Sequence, residues 1–333
     1  MKRILIIKPS SIGDVLHTFP AVALIRKAFG SDLRISWVVN ESLRGVVELC
    51  PGVDRIVPFP RAKMWNISCL RAFLKELRSE EYDVALDFQG LLKSGLIAHF
   101  SGARLKAGFA HSREGSPFFY DRKIKIEDLH THAVEKNLQL AREALDIEGQ
   151  CFAGEFPLAM PNVSRKGDVI AVCFSSRWES KNWPLPFFAE VLRRVAAERK
   201  DVHIKLVGSP QDKSLGDQLV QLAGLPNVEN LAGKTSFSEL AALLAGADVL
   251  FTVDSGPMHL AAAYGTPCVA LFGATDPVLT GPYGPPGFHA IVRSDCAKAP
   301  CLRRKCPLGK TCSAQNAVSE SVSAITSHLS CGV

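Results

Sequence analysis

The stretch from Val249 to Pro277 constrains the fold of this chain more than any other part of the sequence. It reads VLFTVDSGPMHLAAAYGTPCVALFGATDP, in which two short β-branched and aromatic runs flank a helix of small residues. Each apolar run is typical of a buried strand. Strand, helix and second strand form a βαβ unit, which predicts a parallel sheet covered by helices. The periodicity alone fits such a unit in any α/β enzyme.

Polar residues gather where these two predicted strands end. They are Asp254, Ser255, Gly256, His259, Thr275 and Asp276. Ligands of open α/β sheets bind at the carboxyl ends of the strands, so this density favours a binding site. Asp254 and Ser255 suit an N-cap, Gly256 lets a ligand approach the backbone, and the helix N-terminus offers N–H groups and a positive dipole to a phosphate.

The length of 333 residues predicts two domains, each large enough to bury a core. The net charge of +6 suits an acidic substrate or an anionic membrane surface, although most such charge is solvated. The N-terminal sequence MKRILIIKPS is too short for a signal peptide, and no stretch of about 18 apolar residues occurs. We therefore expect a cytoplasmic protein. We expect no nucleic-acid partner.

The chain opens with a predicted strand over residues 3–7, a turn over residues 8–14 and an amphipathic helix over residues 15–29. This is a Rossmann-type opening, but it lacks G-x-G-x-x-G, so a dinucleotide fingerprint is not supported. Asp14 lies at the start of the helix, where position alone favours an N-cap. His17 is one helical turn further and is interpreted as a helix-face residue that orients the site.

A proline-containing stretch without periodicity, residues 157–168, is the predicted linker. It separates domains over residues 1–160 and 166–318, and a last helix, within residues 319–333, is expected to cross back to the first domain. In the second domain Lys181 lies at a strand-to-helix turn, where a lone lysine is usually solvated. In the first, a basic loop over residues 61–65 precedes a helix over residues 68–80.

The chain has ten cysteines, of which Cys296, Cys301, Cys306 and Cys312 are clustered. Their spacing lacks the C-x-x-C pairs of a structural zinc site. We rank packing or reduced thiols first, a metal second and a disulfide third. The scattered cysteines are expected to be mostly reduced, as is usual in a cytosolic protein.

Several of these motifs resemble the signature of glycosyltransferase family 9, the bacterial heptosyltransferases. D-S-G-x-x-H-L-A-A begins at Asp254, K-x-S-S-x-G-D begins at Lys8, and K-x-W-P begins at Lys181. The resemblance covers nearly the whole chain, and DFQGLLKSGLIA and RLKAGFAHSRE are similar to the branch that adds the first heptose. It implies an α/β GT-B fold, with two Rossmann-like domains facing a central cleft.

The resemblance also implies roles for individual residues. Asp14 matches the proposed general base, and Lys181 matches the lysine that binds the sugar-nucleotide diphosphate. The implied donor-binding residues are Ser175, Ser176, Lys181, Asp212, Thr235, Asp254, Ser255, Gly256 and His259. The implied acceptor-binding residues are Ser11, Gly13, Arg61, Lys63, Gln89, Lys93 and Arg113. Asp212 matches less closely, because its relatives often have glutamate there.

The implied donor is ADP-L-glycero-β-D-manno-heptose, and the implied acceptor is Kdo on lipid A, in lipopolysaccharide inner-core synthesis. Such an enzyme would be peripheral on the cytoplasmic face of the inner membrane. No D-x-D run supports a catalytic metal, and no cofactor is expected. Direct displacement would invert the anomeric centre, and no nucleophile for a retaining route is identified.

Three other functions remain open. The chain could be heptosyltransferase II or another family 9 transferase, which would act on a different acceptor. A sugar-nucleotide epimerase of the same fold would need no second substrate. A nucleotide-binding module that uses only the Gly256 helix would bind ADP and turn over nothing.

Overall fold

The structure is a computed structural model that describes residues 1–148, 155–161 and 168–330. The chain divides into two compact units, residues 1–159 and residues 160–333. Residues 162–167 of the predicted linker, together with Cys151 and Cys331, lie outside the described residues.

The first unit is a six-stranded parallel sheet with helices between its strands. Its strands are β1 (Arg3–Ile7), β2 (Arg34–Asn40), β3 (Arg55–Phe59), β4 (Val84–Asp87), β5 (Leu105–Phe109) and β6 (Arg122–Ile124). Its helices are α1 (Ile12–Leu16), α2 (Phe19–Phe29), α3 (Arg44–Val47), α4 (Ile67–Leu77), α5 (Leu92–Phe100) and α6 (Ala133–Ala144). The strand order is β3-β2-β1-β4-β5-β6, and every pairing is parallel.

The second unit repeats this architecture. Its strands are β7 (Val169–Cys173), β8 (His203–Leu206), β9 (Val228–Asn230), β10 (Val249–Val253), β11 (Cys268–Phe272) and β12 (Ala290–Arg293). Its helices are α7 (Leu185–Glu198), α8 (Lys213–Ala223), α9 (Phe237–Gly246), α10 (Gly256–Ala263), α11 (Pro277–Thr280) and α12 (Ala317–Ser330). The strand order is β12-β11-β10-β7-β8-β9, again parallel throughout.

The two strand orders are equivalent, and both are the order of a Rossmann sheet. In each unit the chain first builds outward on one side of the initial strand and then crosses to the other side. The direction reverses between β1 and β4 in the first unit and between β7 and β10 in the second. The predicted α/β class with two Rossmann-like domains is confirmed, and these reversal points are where such sheets bind ligands.

Burial of the central strands on both faces explains their continuous apolar sequences. Residues 4–7 of β1 and all five residues of β10 are buried, as expected for strands covered by helices on both sides. In the first unit the rings of Phe19 and Trp37 pack edge to face at 5.8 Å. In the second, Phe188 of α7 packs on Phe251 of β10 at 5.1 Å.

The helix predicted over residues 15–29 is wrong in one respect, because the structure has two helices there, α1 and α2. Pro20 lies in the first turn of α2, with Thr18 as the N-cap. Proline lacks the N–H that would bond to the previous turn, so it breaks or kinks a helix interior and is favoured in a first turn instead. Helix α4 also begins earlier than predicted, because the Asn66 side chain accepts bonds from the amides of Ser68 and Cys69.

The last helix, α12, packs against α7 and against β10, β11 and β12 of its own unit. Within the three described ranges, none of the helices is both long enough and apolar enough to cross a membrane.

Candidate functional site

Asp14 lies just beyond the carboxyl end of β1, at the reversal point of the first sheet. It is the third residue of α1, and Ser11 occupies the N-cap position, so the prediction of Asp14 as N-cap from position alone is wrong. The backbone amide and the hydroxyl of Ser11 both donate to Asp14 Oδ2, at 2.8 and 2.7 Å. Its side chain is 44% exposed, so the carboxylate is fixed in direction and still accessible.

Lys8, the first residue of the K-x-S-S-x-G-D motif, lies beside Asp14 but was not among the predicted site residues. Lys8 is buried, its Nζ donates to the carbonyl of Phe88 at 2.7 Å, and the same atom lies 4.0 Å from Asp14 Oδ1. The lysine therefore ties the end of β1 to the loop after β4 and adds positive charge near the carboxylate. A lysine in a strand-to-helix turn is usually solvated, and only the packing of β4 against β1 encloses this one.

Asp14 borders a cavity of about 160 Å³ within the first unit, whose lining also includes Lys8, His17, Lys136 and Asn137. His17 is buried, and its ring meets the ring of His132 edge to face at 5.1 Å. The side-chain amide of Asn137 donates to the His17 carbonyl at 2.9 Å. The structure thus places His17 at the site, next to the proposed base.

The loop after β4 is organised by a fully buried carboxylate, Asp87. Its Oδ1 accepts the amides of Gln89 and Gly90 at 2.8 and 3.1 Å, and its Oδ2 accepts the Tyr120 hydroxyl at 2.6 Å. Burial raises the pKa of Asp87 above its usual range, although these hydrogen bonds act in the opposite direction. Burial, and then the Asp87 charge, likewise raises the pKa of Tyr120.

This loop connects two predicted acceptor-binding residues to the Asp14 turn. Gln89 Oε1 accepts the Ser10 amide at 3.2 Å, and the Arg113 amide donates to the Gly90 carbonyl at 3.0 Å. Gly90 has a φ of +66°, and a Cβ there would lie 2.5 Å from the Ser112 hydroxyl. Glycine is therefore required for this close approach.

The structure brings together some predicted acceptor residues and separates others. Gln89 and the backbone of Arg113 join the Ser11–Asp14 turn through the bonds just described, and Gly13 is buried within that turn. Lys93 follows on α5 and is half-buried. The exposed Arg61 and Lys63 form a 3-10 turn after β3, the edge strand two places from β1.

In the second unit, three neighbouring strands bring their polar residues together. Lys181 Nζ lies 2.7 Å from Asp254 Oδ2, and the Thr275 hydroxyl donates to the same oxygen at 2.5 Å. His259 Nε2 lies 3.9 Å from Asp254 Oδ1. Lys181 follows β7, Asp254 follows β10 and Thr275 follows β11, so the reversal point of this sheet carries the cluster.

Helix α10 begins directly beside this cluster. Ser255 is its N-cap residue, but the side chain makes no capping hydrogen bond. Its hydroxyl instead lies 3.2 Å from Thr252 Oγ1 and 3.3 Å from Cys173 Sγ. Gly256 is the first helical residue, so the positive end of the helix dipole lies next to Lys181 and Asp254.

A second group of predicted donor residues joins Asp212, which follows β8, to Ser175 and Ser176, which follow the neighbouring strand β7. The Ser175 hydroxyl donates to Asp212 Oδ1, and the hydroxyl and amide of Ser209 donate to Asp212 Oδ2 at 2.5 and 2.8 Å. The Ser176 amide donates to Asn182 Oδ1 at 2.7 Å, in the turn that carries Lys181. Thr235 is half-buried and precedes the N-cap of α9.

The loop that carries the four clustered cysteines, residues 296–312, contacts the turn that holds Lys181. Ser180 donates from its amide to the Arg304 carbonyl at 3.2 Å, and Cys312 Sγ lies 3.4 Å from the Ser180 carbonyl. The Trp178 ring has Lys181 Nζ at 4.9 Å and the Arg304 guanidinium at 5.7 Å from its centroid. Neither Trp178 nor Arg304 was predicted from the sequence, because their contact joins distant segments.

The four clustered cysteines line one small apolar cavity together with Ser180 and Gly273, and all four are free thiols. Among the residues that the structure describes, no three His, Cys, Asp or Glu side chains are arranged to hold a metal ion.

Comparison with known proteins gives consistent results. The profile of glycosyltransferase family 9 (heptosyltransferase) matches residues 70–312. The chain is 32% identical over 317 residues to lipopolysaccharide heptosyltransferase 1 of Pseudomonas aeruginosa, covering 91% of this chain and 87% of that protein.

Two solved structures of one Escherichia coli enzyme are also similar. Heptosyltransferase WaaC with ADP matches with a TM-score of 0.78 and 29% identity, over 88% of this chain and 93% of that one. WaaC with ADP-2-deoxy-2-fluoro heptose matches with a TM-score of 0.78 and 27% identity, over 98% and 99% of the two chains.

Proposed function

This chain belongs to glycosyltransferase family 9, the heptosyltransferases, and we propose that it transfers heptose from ADP-L-glycero-β-D-manno-heptose to Kdo of Kdo-lipid A. It is a glycosyltransferase of the GT-B fold, as its structural relatives are. The similarity to a relative named lipopolysaccharide heptosyltransferase 1 supports the choice of the first-heptose acceptor. A relative that holds an ADP-heptose analogue supports the choice of donor.

The observation that carries this proposal is the cluster of Lys181, Asp254 and Thr275 at the start of helix α10. A lysine ammonium and the N–H groups of a helix N-terminus are the groups that stabilise a departing diphosphate. We expect Lys181 Nζ to contact the diphosphate, with Asp254 orienting the lysine beside the start of α10. A carboxylate is repelled by a diphosphate, so we propose that Asp254 itself binds sugar hydroxyls of the donor.

Asp14 is proposed as the general base. Its carboxylate takes the proton of the acceptor hydroxyl while the hydroxyl oxygen attacks the anomeric carbon of the heptose. The bond from that carbon to the diphosphate oxygen breaks, and ADP leaves with the electron pair. The displacement inverts the anomeric centre. Ser11 supports this role because its two hydrogen bonds hold Asp14 Oδ2 and so fix the direction of the carboxylate, while the side chain stays 44% exposed.

The remaining predicted residues are assigned to the donor or the acceptor by their place in the two units. The Ser175–Asp212 pair is proposed to bind the nucleotide ribose, since Asp212 carries a carboxylate close to a loop at the carboxyl end of β8. Gln89, Lys93 and Arg113 are proposed to bind the acceptor. An acceptor anchored in lipid places the enzyme peripherally on the cytoplasmic face of the inner membrane.

The decisive experiment compares two acceptors. Purified protein with ADP-heptose should release ADP and extend Kdo-lipid A that carries no heptose, and Asp14→Asn should serve as the inactive control. A clear preference for an acceptor that already carries one heptose would favour the heptosyltransferase II alternative. Turnover of a UDP-sugar alone would indicate an epimerase, and ADP binding without turnover would indicate a nucleotide-binding module.

A further inference from the structure

An exposed apolar surface lies on the edge of the first unit, in the turn after β3 and the first turns of α4. Trp65 is 95% exposed, Ile67 is 67% exposed and Leu70 is 37% exposed. Large side chains of this kind are expected to be buried or to mark an interaction site when they cluster. We call residues 61–75, RAKMWNISCLRAFLK, the edge segment.

The exposed residues continue a stripe that begins in the core. Ile67, Leu70, Leu74 and Leu77 recur at helical spacing, so they lie on one face of α4. Leu77 is fully buried and Leu74 packs against the same core cluster, whereas Leu70 and Ile67 extend past it. The stripe is thus longer than the core that it covers, and its N-terminal part is left for another apolar partner.

The exposed end of the stripe is held in place by hydrogen bonds. The Asn66 side chain caps α4, the Asn66 amide donates to the Lys63 carbonyl at 3.0 Å, and the Lys63 amide donates to the Pro60 carbonyl at 2.9 Å. Trp65 is therefore presented by a hydrogen-bonded turn that joins a strand to a capped helix.

The charge of the edge segment identifies the partner. It contains four cations, Arg61, Lys63, Arg71 and Lys75, and no Asp or Glu. All four are exposed, and none forms an ion pair with another residue in the described parts of the chain. A tryptophan among apolar residues and unpaired cations matches the headgroup region of an anionic bilayer.

We propose that the edge segment docks the protein on an anionic phospholipid bilayer, with Trp65, Ile67 and Leu70 entering the headgroup region and Arg71 and Lys75 contacting lipid phosphates. The assignment rests on the proposed function, because a lipid acceptor requires the enzyme to work at a bilayer. Because β3 and β1 are parallel, their carboxyl ends lie on the same side of the sheet. The two strands are two places apart, which is a distance of roughly 10 Å. Docking there would bring a lipid-anchored sugar close to Asp14.

The test uses the full chain and vesicles that contain no acceptor. Wild-type protein should sediment with vesicles of phosphatidylcholine and phosphatidylglycerol, but not with phosphatidylcholine alone. Trp65→Ser/Ile67→Ser should lower the vesicle affinity at least about tenfold, since both apolar contacts are lost. Arg71→Gln/Lys75→Gln should lower it by about 10- to 30-fold at low salt and less at high salt.

The matched control is Leu215→Ser/Leu222→Ser, which removes two exposed apolar residues from α8 of the second unit and should leave vesicle binding unchanged. Absence of wild-type binding to anionic vesicles, or wild-type binding by Trp65→Ser/Ile67→Ser, would overturn the proposal. So would a change from dimer to monomer in that variant with vesicle binding retained, because the surface would then bind a second copy of the chain.

A separate assay distinguishes this proposal from the proposed function. Transfer from ADP-heptose to a deacylated Kdo acceptor in solution should proceed at the wild-type rate in Trp65→Ser/Ile67→Ser. Failure of the wild type in this assay would count against the proposed acceptor, whereas vesicle binding judges the docking surface alone. A rate lost in the variant but kept in the wild type would place Trp65 and Ile67 in acceptor binding and contradict the membrane assignment.

Discussion

Replacing Lys181 with alanine should destabilise the second unit as well as weaken donor binding. Lys181 Nζ lies 2.7 Å from Asp254 Oδ2, and the two side chains are only 17% and 4% exposed. The substitution leaves the Asp254 carboxylate in a site from which water is nearly excluded, with the Thr275 hydroxyl still donating to it. A buried charge that loses its partner is destabilising, because neither water nor a counter-ion replaces the lost interaction.

The magnitude follows from burial and from the bonds that remain. Removing one partner of a buried ion pair costs about 3–5 kcal/mol, and a charge-assisted hydrogen bond contributes about 1.5–3 kcal/mol. Lys181 keeps some contact with solvent and Thr275 still satisfies part of the carboxylate, so the expected loss is about 2–3 kcal/mol in the free energy of unfolding. In a unit of this size, that corresponds to a fall in Tm of roughly 4–12 °C.

Urea unfolding of Lys181→Ala measures this loss, and Lys205→Ala is the matched control. Lys205 pairs with Glu229 in the same unit, but their side chains are 30% and 53% exposed, so its loss should stay below about 1 kcal/mol. Adding Asp254→Asn to Lys181→Ala should recover part of the stability, since it removes the stranded charge. ADP affinity, measured by calorimetry, should fall in Lys181→Ala. A smaller loss of stability in Lys181→Ala than in Lys205→Ala would refute the reasoning.

Three further predictions concern the first unit. Asp14→Asn keeps an acceptor for the Ser11 bonds but cannot take a proton, so kcat should fall about 10²-fold or more with donor affinity unchanged, and near-normal turnover would exclude Asp14 as the base. Burial raises the pKa of Asp87, so the folded chain binds this proton at higher pH than the unfolded chain does. The free energy of unfolding should therefore rise as the pH falls through the raised pKa. Urea unfolding at several pH values measures this rise, which Asp87→Asn should abolish. Alanine at Arg61 or Lys63 alone should have a modest effect, while the double change should raise the acceptor KM with donor KM unchanged, and an effect that did not shrink with added salt would count against a charge contact.

Much of the fold could be predicted because it is encoded locally. The first apolar run of the Val249–Pro277 stretch was predicted to be a buried strand and forms β10, since a β-branched run between turn residues has few other conformations open to it. Likewise, the sequence around Asp254 predicted a helix that starts directly after the strand, and α10 begins at Gly256. Asp87 also lies at the end of a buried strand, so the same sequence signal could have identified it as a site residue.

Other features depended on which strands became neighbours. Sequence position indicated an N-cap or donor-binding role for Asp254, and the family resemblance implied a diphosphate-binding role for Lys181, but only the placement of β7 beside β10 makes the two side chains partners. Tyr120 lies 33 residues from Asp87, and no local pattern links the two. Such contacts are set by strand order and by side-chain packing across it, which periodicity does not contain.

In the edge segment the local sequence determined the helix, and the tertiary structure determined which of its residues are buried. Its sequence alone determined an amphipathic helix that follows a basic loop, because apolar residues at helical spacing specify one face of α4. Only the tertiary structure decided that Leu77 lies in the core while Ile67 and Trp65 stay in solvent. The spacing of a stripe records which residues share a face, whereas its burial depends on how far the neighbouring strands and helices extend along that face.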